Sequence, residues 1–169
     1  MTTKRRRRSY EEGHNRKYLL IVDESPEVDA ALYFCASRIA HTSGKIILLY
    51  VIQPQGFQHW MGVRQVQMEE ETNKARALFR LFRRKLNNAG FEHVVTEEVI
   101  REGKNNEEII GLIEDDEDIA ILVLGASTEQ NGPGPLVTSL ALGRTAGTFP
   151  IPMVIVPGDM TLEDLKSLA

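Results

Sequence analysis

Four stretches of this chain are apolar without alternation: residues 17–22 (Lys-Tyr-Leu-Leu-Ile-Val), Lys45–Ile52, residues 119–124 and residues 153–156. A strand with one wet face alternates apolar and polar side chains, whereas a strand covered on both faces reads as a continuous apolar run. The runs are far too short to cross a bilayer, which takes roughly 20 residues. They predict a sheet buried on both sides. A weaker, alternating strand is predicted at 93–100. Helical stripes separate the strands: small or apolar residues at 28, 31, 32, 35 and 39, then Ala75, Leu78, Phe79, Phe82, Leu86 and Ala89, then Ile109, Ile110, Leu112 and Ile113. A short helix is expected near 138–145. Strictly alternating strands and helices give an α/β fold, a single doubly wound five-stranded parallel sheet with right-handed crossovers and helices on both faces.

The punctuation agrees with this order. Ser25 is expected to cap the first helix with Pro26 as its first residue, and Gly44 and Gly90 stand where helices stop. Residues 53–62, with Pro54, Gly56, Phe57 and Trp60, read as a loop, and Asn105 or Asn106 as the cap of the third helix. Thr161 and Asp164 have the spacing of a capping box.

The 169 residues suit one domain. Residues 1–16 carry no apolar periodicity and are expected to form a flexible basic arm whose removal leaves folding unchanged. Residues 17–157 form the domain, and 158–169 a tail or short helix. Residues 1–17 hold seven basic residues against two acidic ones, leaving 13 basic and 22 acidic residues in the remainder. An acidic body does not suit a nucleic-acid face, although the four consecutive arginines of the arm offer RNA an alternative contact. The basic amino terminus lacks the apolar stretch of a secretory signal, which points to a cytoplasmic protein. The single cysteine, Cys35, lies on a helical stripe and is read as packing. The histidines lack metal-ligand spacing, and the acidic run 114–118 reads as a solvated turn.

In an open parallel sheet, ligands bind beyond the carboxyl ends of the strands where the strand order reverses. If the order is 3-2-1-4-5, the reversal sets Asp23, Glu24 and Ser25 beside residues 125–128, with Val51 nearby. Asp23 can bond a ribose hydroxyl or the backbone N–H groups of its own turn, and Ser25 reads as a cap rather than a nucleophile. In the loop after Gly125, the glycines Gly132 and Gly134 and the hydroxyls of Ser127, Thr128, Thr138 and Ser139 could cradle a phosphate at the start of the following helix. Against that, Pro133 and Pro135 carry no N–H, Glu129 adds negative charge, and no lysine or arginine lies between Gly125 and Thr138.

Taken in order, five pieces resemble the universal stress protein family: Leu-Ile-Val-Asp23-Glu-Ser-Pro26, Leu-Leu-Tyr-Val51-Ile, Gly103 followed by Glu107, Glu108 and Ile109, Ile-Leu-Val-Leu124-Gly125-Ala-Ser, and Pro150-Ile-Pro152-Met-Val-Ile-Val-Pro157. The resemblance implies the 3-2-1-4-5 order, a regulatory role in the stress response, and ATP or AMP between strands 1 and 4. It places Asp23 on the ribose, Val51 on the adenine, and Leu124 and Gly125 at the start of the nucleotide loop. The nucleotide-binding members carry Gly-x-x-Gly, about nine residues, then Gly-Ser or Gly-Thr. Here Thr128 replaces the second glycine, and the closing pair falls on Thr138-Ser139 or Ser139-Leu140. A member that does not retain nucleotide is the alternative. A nucleotide hydrolase is disfavoured, since no residue pattern supplies a phosphate-activating loop. The resemblance also implies a homodimer through the last strand, Met153, Val154, Ile155 and Val156, an uncharged edge that flanking prolines keep short.

Overall fold

The computed structural model describes residues 6–54 and 61–169; Gly56, Phe57 and Trp60 lie outside them. Its strands are β1 (Lys17–Ile21), β2 (Lys45–Ile52), β3 (Val95–Glu102), β4 (Ile119–Ala126) and β5 (Met153–Pro157). They form one parallel sheet in the order β3-β2-β1-β4-β5. The helices are α1 (Val28–His41), α2 (Met61–Asn88), α3 (Asn105–Asp115) and α4 (Leu162–Leu168).

The apolar runs fill two cores. Tyr18, Leu20, Ile46 and Leu48 face α1 and α2, while Leu19, Ile21, Ile47 and Leu49 face α3 and the segment that leads to β5. Side chains alternate between faces with a period of two, so only a continuous apolar run can serve both cores. Each fully buried leucine contributes about 1.5–3 kcal/mol. Cys35 has no exposed surface, and burial pushes its thiol pKa upward.

Several boundaries differ from the sequence reading for local reasons. The first helix begins at Val28 rather than Pro26, because the Asp23 carboxylate accepts both the Ser25 N–H and the Ser25 hydroxyl, leaving that hydroxyl no capping role. On α3 the N-cap is Lys104, without a side-chain bond, while Asn106 instead accepts the Ser139 hydroxyl at 3.3 Å. The third strand starts at Val95, since Phe91 and Val94 are drawn into the core and their N–H groups close the turn after α2. In place of a helix over 138–145 there is a π-helical turn, Val137–Ala141, and a separate 3-10 turn, Ala146–Thr148. Thr161 and Asp164 do form the capping box of α4.

From residue 6 onward the basic arm lies against the domain. The Arg7 guanidinium donates to the carbonyls of Ile113, Asp116 and Ile119 at 2.6, 3.0 and 3.3 Å, closing the C-terminal end of α3. The acidic run therefore has partners that a solvated turn would lack: Arg8 faces Glu117 at 3.6 Å, His14 meets Asp118 at 2.7 Å, and Lys17 meets Asp116 at 2.8 Å. Burial opposes the charge on Lys17, but hydrogen bonds to Asp116 and Glu97 outweigh it and raise its pKa above the usual lysine value.

At the other side of the sheet, β5 pairs, among the described residues, only with β4. The terminal helix α4 packs on α1, with Leu165 buried, and does not hydrogen-bond along the β5 edge.

Candidate functional site

The sheet reverses its winding between β1 and β4, and both strands end on the same side. Leu20 stands opposite Val123, so the chain leaving β1 at Asp23 passes the end of β4 at Leu124 and Gly125. A small cavity of about 40 Å³ opens there, bounded by Asp23, Ser25, Glu27, Leu124, Gly125 and Gly134. Outside it lies an open basin of about 340 Å³, walled by Glu27, Ser127, Glu129, Gly132, Gly134 and Thr138.

The structure brings some of the sequence candidates together and leaves others apart. Asp23, Leu124, Gly125 and Gly134 line the inner cavity; Gly132, Gly134 and Thr138 line the basin. The φ angles of Gly132 and Gly134 are +111° and +102°, a left-handed backbone that glycine adopts without strain. Val51 lies two residues beyond Leu49, whose carbonyl accepts the Val22 N–H, but Val51 packs against the α3-side core and borders neither cavity. Thr128 is exposed on the loop, outside both linings. Ser139 turns toward α3 through its bonds to Asn106 and Leu136.

Gly125 has a packing role. Its Cα abuts the backbone of Glu27, and a Cβ there would overlap the Glu27 carbonyl oxygen. The start of α1 thus rests directly on the end of β4, and Gly158 receives the same residue from the other side. Glu27 is the site residue that sequence reasoning missed. An acid just before a helix reads as a favourable partner for the helix dipole, and nothing in the one-dimensional pattern says that β4 will meet it.

The electrostatics of the site are acidic. Asp23, Glu27 and Glu129 border the two cavities, and among the described residues no lysine or arginine lines them. Lys74, near the rim, faces Glu24 at 3.4 Å. The Tyr50 hydroxyl donates to Glu71 at 2.7 Å; burial chiefly, then the Glu71 carboxylate with Glu24 and Asp23, holds this phenol protonated. The loop spends part of its own donors. The N–H groups of Ser127, Gly132 and Thr138 bond the carbonyls of Pro133, Glu129 and Gly134, and the Glu129 N–H bonds the Ser127 hydroxyl. Among the described residues, no group of three or more His, Cys, Asp or Glu is placed to hold a metal ion, and no helix is long and apolar enough to cross a membrane.

Comparison with known proteins agrees with this architecture. No curated protein matches the chain. Among solved structures, a universal stress protein from Lactobacillus plantarum superposes with a TM-score of 0.64 at 15% identity, covering 83% of this chain and 97% of that one. A universal stress protein in complex with cAMP gives 0.55 at 15% identity, covering 85% and 98%. A member from Arabidopsis thaliana with AMP bound gives 0.54 at 17% identity, covering 84% and 91%. At such identities these likenesses carry the fold alone. The family model described as universal stress protein family matches residues 14–157, almost the whole of the sheet and its helices, and the chain belongs to that family.

Proposed function

We propose that this protein is a cytoplasmic regulatory module of the stress response, which holds an adenine nucleotide or its nucleoside between β1 and β4 and acts as a homodimer. The observation that carries the ligand reading is the cavity at the strand-order reversal, with Asp23 on one wall and Gly125 on the other. Relatives of the same fold bound to cAMP and AMP support it. Among the described residues, nothing lining the site supplies a cation for a transferring phosphate, so the module reads as a binder and not a dedicated enzyme. Calorimetric titration with adenosine, AMP and ATP tests the reading. Weak saturable heat, abolished by Asp23→Ala in a protein that still folds, is expected; no heat at millimolar ligand overturns it. The second reading, an interaction protein that binds no nucleotide, is favoured by four of the loop's N–H groups, those of Ser127, Glu129, Gly132 and Thr138, being bonded within the loop.

Dimerisation is proposed through β5. Its outer edge is unpaired, Ile155 is 44% exposed, and Ile155, Met160 and Leu168 line an apolar groove beside it. An unpaired apolar edge invites a second strand, and a two-fold partner lying antiparallel would satisfy both edges. The substitution to test is Ile155→Lys, since Val154 packs against the α1-side core and a lysine there would disturb folding as well. Sedimentation is expected to show a dimeric parent and a monomeric variant. A parent that is monomeric at micromolar concentration overturns the dimer.

A further inference from the structure

We infer that the crevice discriminates against phosphate charge, so that adenosine is its preferred adenine ligand and affinity falls with each phosphate added. The inference rests on the ligand reading above and names the ligand class of the same site.

Three independent features point this way. The first is charge: Asp23, Glu27 and Glu129 border the space a ligand must enter, and their side accepts hydrogen bonds well and anions badly. A ribose offers hydroxyl donors to carboxylates; a phosphate offers only further negative oxygens. The second is the supply of donors. A phosphate loop works by pointing several backbone N–H groups at the anion. Here the N–H groups of Ser127, Glu129, Gly132 and Thr138 are bonded within the loop, and Pro133 and Pro135 have none to give. The third is the shortness of the helical segment after the loop. A full α-helix following the loop would aim its positive terminus at the anion, but the helical segment there spans only residues 135–141, most of it the π turn Val137–Ala141. Its aligned peptide dipoles are too few to replace the absent cation.

The inner cavity, bordered by Leu124 and Gly125 as well as Asp23, offers an apolar wall and a carboxylate to one edge of a nucleoside. Discrimination therefore acts on the phosphate end and leaves the base and sugar untouched.

The experiment is a titration series with adenosine, AMP and ATP, free of magnesium, at one low ionic strength and again at higher salt. Adenosine is expected to bind at least tenfold tighter than ATP, with AMP between them. The gap should shrink as salt screens the carboxylates, and Glu27→Gln and Glu129→Gln should raise ATP affinity more than adenosine affinity. ATP binding as tightly as adenosine, or tighter, overturns the inference and leaves the ligand reading standing. No binding by any of the three overturns both.

Discussion

Gly125→Val is expected to destabilise the protein by about 3 kcal/mol, at the upper end of overpacking penalties in a close-packed site. The reason is geometric. The Gly125 Cα meets the Glu27 backbone, and the first atom of any side chain would occupy the position of a carbonyl oxygen. Backbone cannot swing aside as a flexible side chain can, so α1 would have to lift off β4 and take Val28 and Leu32, both buried, with it. Gly147→Ala provides the control, because a Cβ there meets nothing within 4 Å and Gly147 has an ordinary φ. Urea denaturation measures both. A Gly125→Val protein as stable as its parent would show that the α1–β4 approach is looser than described. The experiment also separates two roles for this glycine, since a residue serving only ligand approach would tolerate valine in the absence of ligand.

Arg7→Ala is expected to lose about 2 kcal/mol, the scale of hydrogen bonds made by a charged group to partly buried acceptors. Three carbonyls at the end of α3 and the turn after it converge on this one guanidinium. Without it they lose a charged donor in a half-buried position, although the Asp116 carbonyl keeps the Ile119 N–H. Deleting residues 1–13 should cost at least as much, contrary to the expectation that the sequence alone supports for the arm. Arg6→Ala is the contrast: its guanidinium meets the exposed Tyr10 at the surface and should change stability little. Equal urea midpoints for the parent, Arg7→Ala and the truncation would show that the arm adds nothing.

The fold was legible because its strands announce themselves. Lys45–Ile52 is bounded in the structure where the apolar run is bounded in the sequence. The alternating third strand was displaced by two residues, because Phe91 and Val94 serve the turn's core and not the sheet. Caps were less legible, for Ser25 and Asn106 each had a choice of partners and took Asp23 and Ser139 over their own helices. The site divides in the same way. Asp23 and Gly125 could be placed beside each other from the strand order that the resemblance implies, whereas Ser139 faces away because a π turn rotates it differently from the α-helix expected there. Glu27 and the partners of the 114–118 acids depend on contacts across long sequence separations. Side-chain type alone does not encode these.

The central position of β1 sets a condition on synthesis. Its partner on one side, β2, follows within thirty residues, but β4 starts only at Ile119. As the chain leaves the ribosome from its amino end, β3, β2 and β1 can assemble while one side of β1 still has no neighbour. Leu19 and Leu20, which end with no accessible surface to speak of, then border an open row of backbone groups. The interval lasts until more than a hundred residues have emerged. A nascent chain of this design is most vulnerable to sticking at what becomes the middle of the finished sheet, a place that no survey of the mature surface would single out.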